Sequence, residues 1–273
     1  MKKLLVLAIA AIAAISVTGA NAQKGGGGPL SVLLGGQGVA SPDGEVRYVA
    51  LTTGRQTIVS VVRVRGGQVD RWRLLPGYFG VPVISLDGVT SGVSHDGRKL
   101  VLATVAGGIT TEFAVIDTRT LRLRRIALRG FWSFDAIAPD ASTLYLVQYS
   151  GPGPNAAYSV RAFDLETNRM LSRPIVDREV GAELMRGWAV TRATSSDGRW
   201  AYTLYAKQKG KPFVHALDTA SRKAYCIDLP LELGRPEQMG LRLRLRADRV
   251  LDVRNGREMV ATVDTRSFAV HKH

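Results

Sequence analysis

One short polar phrase punctuates the chain. It reads Ser41-Pro42-Asp43-Gly44, Ser94-His95-Asp96-Gly97, Ala138-Pro139-Asp140-Ala141 and Ser195-Ser196-Asp197-Gly198, with a decayed copy at Arg246-Ala247-Asp248-Arg249. Its aspartates stand roughly fifty residues apart, a period that means one structural unit used several times. Each copy is followed by an apolar run such as Val46-Arg47-Tyr48-Val49-Ala50-Leu51 or Trp200-Ala201-Tyr202-Thr203-Leu204-Tyr205, rich in the β-branched and aromatic residues of buried strands. Asp-Gly between two strands predicts a hairpin, because the turn needs a positive φ that glycine adopts without strain. Ala141 and Arg249 lack that freedom, so the third and fifth turns are expected to be longer or differently shaped.

A second phrase follows each anchor: Ile116-Asp117-Thr118, Phe163-Asp164-Leu165-Glu166-Thr167, Leu217-Asp218-Thr219 and Val263-Asp264-Thr265. It reads as a strand ending at a carboxylate that accepts turn N–H groups. In the first unit Arg65-Gly66-Gly67 takes this place. Another strand follows, as in Leu121-Arg122-Leu123-Arg124-Arg125-Ile126. Each unit is therefore four antiparallel strands, and such units repeated radially make an all-β fold, the β-propeller. The helical signal is confined to residues 177–185, where a glycine weakens it.

The Ser-x-Asp-Gly and strand-Asp-Thr phrases resemble the WD40-like repeats of exported bacterial propellers, the TolB-like and YVTN-type families, over residues 35–270. The resemblance implies a single propeller domain over residues 30–273 with five four-stranded antiparallel blades, or six if residues 76–88 hide extra strands or the N-terminal strand at 30–34 completes a blade elsewhere. It also implies that an end strand, 30–34 or 267–270, closes the ring. Such propellers serve as partner platforms, glycan binders and occasional hydrolases.

Residues 1–22 have the anatomy of a secretory signal peptide: Lys2 and Lys3, an apolar stretch over 4–15, and Ala20-Asn21-Ala22 before the expected cut. The apolar stretch is too short for a membrane span. Residues 23–29 read as a flexible glycine-rich leader. The expected location is periplasmic or extracellular. A single cysteine, Cys226, excludes an internal disulfide, and its apolar context predicts a buried thiol. The four histidines are scattered, and no metal-ligand spacing occurs, so no metal or cofactor is expected.

The formal charge is +14, or +12 without Lys2 and Lys3. In an exported protein this favours an acidic protein partner or an anionic envelope polymer. Arginine alternates with apolar residues at 62–65, 71–74, 121–124 and 241–246, which predicts fourth strands with a basic edge. Nucleic acid would want interleaved aromatics, and only Trp72 supplies one. A monomer is expected.

The loops entering each innermost strand carry Gly77-Tyr78-Phe79, Arg129-Gly130-Phe131-Trp132 and Arg186-Gly187-Trp188, with Asp135 and Arg192 following. By the resemblance they meet at one mouth of a central channel. Tyr78, Phe79, Arg129, Trp132, Arg186, Trp188 and Arg192 are the candidate binding residues; aromatic faces with arginine suit a sugar or an acidic side chain. The expected function is a non-catalytic binding scaffold. The alternative is a carbohydrate-active hydrolase using Asp87 and Asp135, which would need two carboxylates at catalytic separation. The repeated aspartates are read as turn residues that do not converge.

Overall fold

The structure is a computed structural model that describes residues 32–104, 109–151, 156–177 and 184–273. The proposed signal peptide and leader, and most of the proposed helix at 177–185, lie outside the described residues. In chain order the first elements are β1 (Val32–Leu33), β2 (Val39–Ala40), β3 (Val46–Thr53), β4 (Gln56–Arg63) and β5 (Val69–Pro76). Then come β6 (Phe79–Pro82), β7 (Lys99–Thr104), β8 (Thr110–Asp117) and β9 (Leu123–Arg129). The third group is β10 (Phe131–Ile137), β11 (Thr143–Tyr149), β12 (Tyr158–Asp164) and β13 (Arg169–Met170). The fourth is β14 (Trp188–Thr194), β15 (Trp200–Ala206), β16 (Phe213–Asp218) and β17 (Lys223–Asp228). Helix α1 (Arg235–Gly240) precedes β18 (Leu241–Arg246), β19 (Val250–Asn255), β20 (Glu258–Asp264) and β21 (Val270–Lys272).

These strands form five antiparallel sheets in sequence order, the five blades of a β-propeller. The second carries β1 as an extra strand beside β6, pairing Val32 with Pro82 and Leu33 with Val81. Neither chain end closes the ring as expected: β1 joins the second blade, and β21 is the outer strand of its own blade. Residues 241–246 also depart from expectation. They form the innermost strand of the fifth blade, because Leu241, Leu243 and Leu245 turn one face into the core shared with the fourth blade.

Period-two alternation gives each blade two faces, and adjacent blades bury theirs together. Tyr48, Val61 and Leu75 of the first blade pack on Phe79, Leu102 and Ile116 of the second. Phe113 and Ile126 meet Trp132, Phe134 and Leu146. Tyr145 and Ala162 meet Leu217, and Val147 and Tyr158 meet Tyr205 and Phe213. Trp188, Leu204 and Val214 meet Leu251, Val253 and Val263. None of these clusters joins the fifth blade to the first.

The hairpin turns explain the repeat. Gly44, Gly97 and Gly198 take φ of 72°, 70° and 72°, and each donates its N–H to the residue three before. Asp43, Asp96, Asp140 and Asp197 each accept the N–H two residues on. The third turn is not reshaped: Ala141 adopts the same left-handed φ, 60°, and the same bond to Ala138. The fifth is different, with Ala247 and Asp248 both left-handed. In the second phrase, Asp117, Asp164, Asp218 and Asp264 all accept N–H groups from the turn that follows. The neighbouring threonines tie the two turn sets together: Thr118 donates to Gly97 O, Thr219 to Arg199 O and Thr265 to Asp248 O.

Candidate functional site

The Ser-x-Asp turns crowd one end of the propeller. Asp96 N donates to Pro139 O at 3.2 Å, and the Arg98 guanidinium to Asp140 O at 3.4 Å. Ser196 bonds the Asp248 carboxylate with both its N–H (3.0 Å) and its hydroxyl. His95 of the second blade lies directly against Gly198 of the fourth. Turns of different blades thus touch in pairs, while their carboxylates gather at no single point among the described residues. Their carboxylates still serve the turns. The Ser41 hydroxyl holds Asp43 below the usual carboxylate range, Ser195 does so for Asp197, and the Ser142 N–H for Asp140. Among the described residues no three potential metal ligands gather.

The channel is crossed. Between β6 and β7 the chain leaves the sheet and returns, with Val83 bridged to Thr90 and Ile84 N bonded to Val89 O. The tip of this excursion reaches the innermost strand of the fourth blade. Leu86 N donates to Ala189 O at 2.8 Å and Asp87 N to Val190 O at 3.2 Å. A register shift between Ala189 and Thr191 frees that stretch of β14 from its regular partner.

Beside this crossing lies a cavity of about 350 Å³ with walls from the first four blades. Val39, Ser91 and His95 contribute from the first two, and Asp135, Arg192 and Ser195 from the next two. Arg192 donates Nη1 to Asp135 O at 3.2 Å and Nη2 to the Asp135 carboxylate. Both side chains are 4% exposed. Two buried charges are tolerable only when paired in this way. The Arg192 Nε has no hydrogen-bond partner among the described residues.

A polar row runs outward from Arg192 along β14, β15, β16 and β17, buried as far as His215 and half-buried at Cys226, which is not the fully buried thiol expected. Thr203 stands opposite Arg192, His215 opposite Thr203, and Cys226 opposite His215. The Thr203 hydroxyl, His215 Nε2 and the Tyr158 hydroxyl also lack protein partners among the described residues. Burial pushes the His215 imidazole down to about 4 and the Cys226 thiol up to about 11. Cys226 N donates to the Asp177 carboxylate at 2.6 Å. A ladder of rings roofs the row: Tyr149 to Tyr158 at 5.9 Å, Tyr158 to Tyr205 at 5.4 Å, and Tyr205 to Phe213 at 5.1 Å. Sequence reasoning missed this row, because its members lie on different strands and share no spacing. The one available signal was an uncharged His215 inside an apolar alternating run.

The candidate binding residues do not gather at one mouth. Phe79, Trp132 and Trp188 are buried wedges in the cores between blades. Trp132 Nε1 donates to Arg129 O, and Arg129 itself is exposed. Arg235, at the start of α1, stacks 4.4 Å over Trp188. Arg186 is exposed. Tyr78 is also exposed, beside a separate groove of about 590 Å³ where Arg125 lies over Phe79 and meets Glu112 at 3.4 Å. Arg192 and Asp135 alone reach the central cavity. Asp87 sits on the exposed tip of the crossing segment, accepting the Ser85 hydroxyl at 2.6 Å.

No protein-family model and no curated protein matches the sequence. Among solved structures, a Kuenenia stuttgartiensis hydrazine synthase chain is similar over 90% of this chain and 65% of its own, at 17% identity and TM-score 0.53. The Swd1 β-propeller domain of Myceliophthora thermophila is similar over 85% of this chain and 67% of its own, at 13% identity and TM-score 0.51. TolB from Acinetobacter baumannii aligns over 85% of this chain and 52% of its own, at 11% identity and TM-score 0.48. The chain thus spans about half to two-thirds of these structures' length, and at such identities the similarity concerns the fold. The Swd1 propeller and the five antiparallel sheets agree, and this chain has a β-propeller fold.

Proposed function

We propose that the protein is an exported, non-catalytic binding scaffold whose central cavity holds an anionic group of a protein partner or envelope polymer. The observation that carries this reading is the crossing segment at residues 84–89. Pinned to β14, it crosses the centre beside a cavity of about 350 Å³, a size that suits a side chain. Arg192 lines this cavity, and serine and threonine hydroxyls from neighbouring blades line the same space. A hydrolase is less well supported. The Asp135 carboxylate is engaged by Arg192, and Asp87 lies on an exposed tip. Export rests on the composition of residues 1–22.

The test uses residues 23–273 on immobilised polyglutamate, with salt raised from about 50 to 500 mM, a range over which screening of exposed charge becomes severe. Retention should fall steeply with salt and be weakened by the paired change Asp135→Asn with Arg192→Gln. Absent or salt-insensitive retention would overturn the reading. So would glycan turnover that disappears in Asp135→Asn.

A further inference from the structure

Tyr78 is held outward on a fixed piece of backbone. Gly77 takes a left-handed φ of 100°, and the Thr57 hydroxyl donates to Gly77 O at 2.7 Å while accepting the Phe79 N–H at 2.8 Å. This clamp turns Phe79 fully into the core and leaves the intervening Tyr78 49% exposed. The same device recurs one blade on, where Thr111 bonds Gly130 O and the Trp132 N–H, and Phe131 stands in the place of Tyr78. There the intervening ring is half-buried. A tyrosine ring fixed in solvent adds little to the core, and it offers a rigid contact face at low entropic cost.

Tyr78 lines the groove of about 590 Å³ where the first and second blades meet, a volume in the range of small-ligand sites. Leu34, Thr52 and Phe79 share the lining with Glu112 and Arg125. Arg125 is fixed three ways. Its Nη2 donates to Pro76 O, its guanidinium lies 5.3 Å over the Phe79 ring, and its Nη1 meets Glu112 Oε2 at 3.4 Å. The Glu112 N–H donates to the Thr104 hydroxyl at 3.0 Å, and Glu112 Oε1 has no partner among the described residues. Both charged side chains keep more than a third of their surface in solvent, at 37% and 39%. The groove therefore presents an aromatic face beside a preset acceptor and a preset donor whose charges cancel.

We propose that this groove binds a pyranose unit of an uncharged glycan. A pyranose has a flat C–H face and, around its edge, neighbouring hydroxyls that each donate and accept. The Tyr78 ring matches the face. The Glu112 carboxylate, which only accepts, and the Arg125 guanidinium, which only donates, match the hydroxyls. A free anion or cation would have to break the Glu112–Arg125 contact to gain a partner. An apolar peptide would strip water from both groups and return no hydrogen bonds. The groove shares no lining residue with the central cavity, so this site goes beyond the one proposed there.

The probes are cellobiose and chitobiose, titrated into residues 23–273 and followed by saturation transfer from protein to sugar protons. Binding is expected, and it should not change with salt, because neither sugar is charged. Tyr78→Ala should weaken it at least about tenfold, the loss expected on removing an aromatic anchor. Tyr78→Phe keeps the ring and should cost less than about threefold. Glu112→Ala should cost at least about fivefold, as for a hydrogen bond to a charged group. These side chains reach solvent, and unchanged thermal midpoints check that the variants fold. No binding of either sugar at about 20 mM, where a site of about 1 mM would be nearly filled, would overturn the proposal. So would binding indifferent to Tyr78→Ala. A groove that takes a leucine-rich peptide and neither sugar would belong to a protein partner, which also overturns it. Asp135→Asn with Arg192→Gln should leave sugar binding intact, and Tyr78→Ala should leave salt-sensitive retention on polyglutamate intact, so the two sites fail independently.

Discussion

His215 is the only buried histidine of the four, and burial keeps its ring neutral in the folded state, with its pKa near 4. The unfolded chain takes up that proton below about pH 6.5, so folding loses stability as pH falls from there towards 4. The slope should be about 1.4 kcal/mol per pH unit, or about 3 kcal/mol over the window. Urea unfolding at pH 7.5, 6 and 5 measures it, and His215→Gln should flatten the dependence. An unchanged slope in that variant would show the proton to be taken up elsewhere. Little of this was readable beforehand. The row Arg192–Thr203–His215 exists only once three strands are in register, and a linear sequence carries no mark of register between strands.

At the scale of elements, the turns were the most legible part, because a carboxylate acceptor and a left-handed glycine must occur at fixed offsets. The misjudged case is instructive. Ala141 takes the glycine's conformation because Asp140 still holds the Ser142 N–H, and the strain of about 1 kcal/mol is tolerated. What spacing could not reveal is that turns of different blades touch. Gly44→Ala meets open space and should cost only backbone strain, about 1 kcal/mol. Gly198→Ala adds a carbon 2.7 Å from His95 Cβ and should cost more, about 2–3 kcal/mol. Equal losses in chemical denaturation would remove the second-to-fourth blade contact from the account. The arginine-alternating run at 241–246 was misplaced for a related reason. Period-two alternation tells which residues share a face, but not whether the strand is innermost or outermost.

At the scale of the whole molecule, the blade count followed from the repeat, while the crossing segment did not. It is a property of how blades meet. The crossing segment gives a distinctive expectation for hydrogen exchange. Leu86 and Asp87 have exposed side chains, yet their amides should be protected to the level of β14, because each donates to its backbone. Rapid exchange at both amides would mean the tip is not seated. The seating also has a consequence in time. The acceptors on Ala189 and Val190 lie about a hundred residues downstream of the donors, so during synthesis the second blade emerges long before its anchor exists. Contacts of such high sequence separation form late. The interior of the ring should therefore be the last part of the protein to become native, and a chain halted before β14 should carry an open centre.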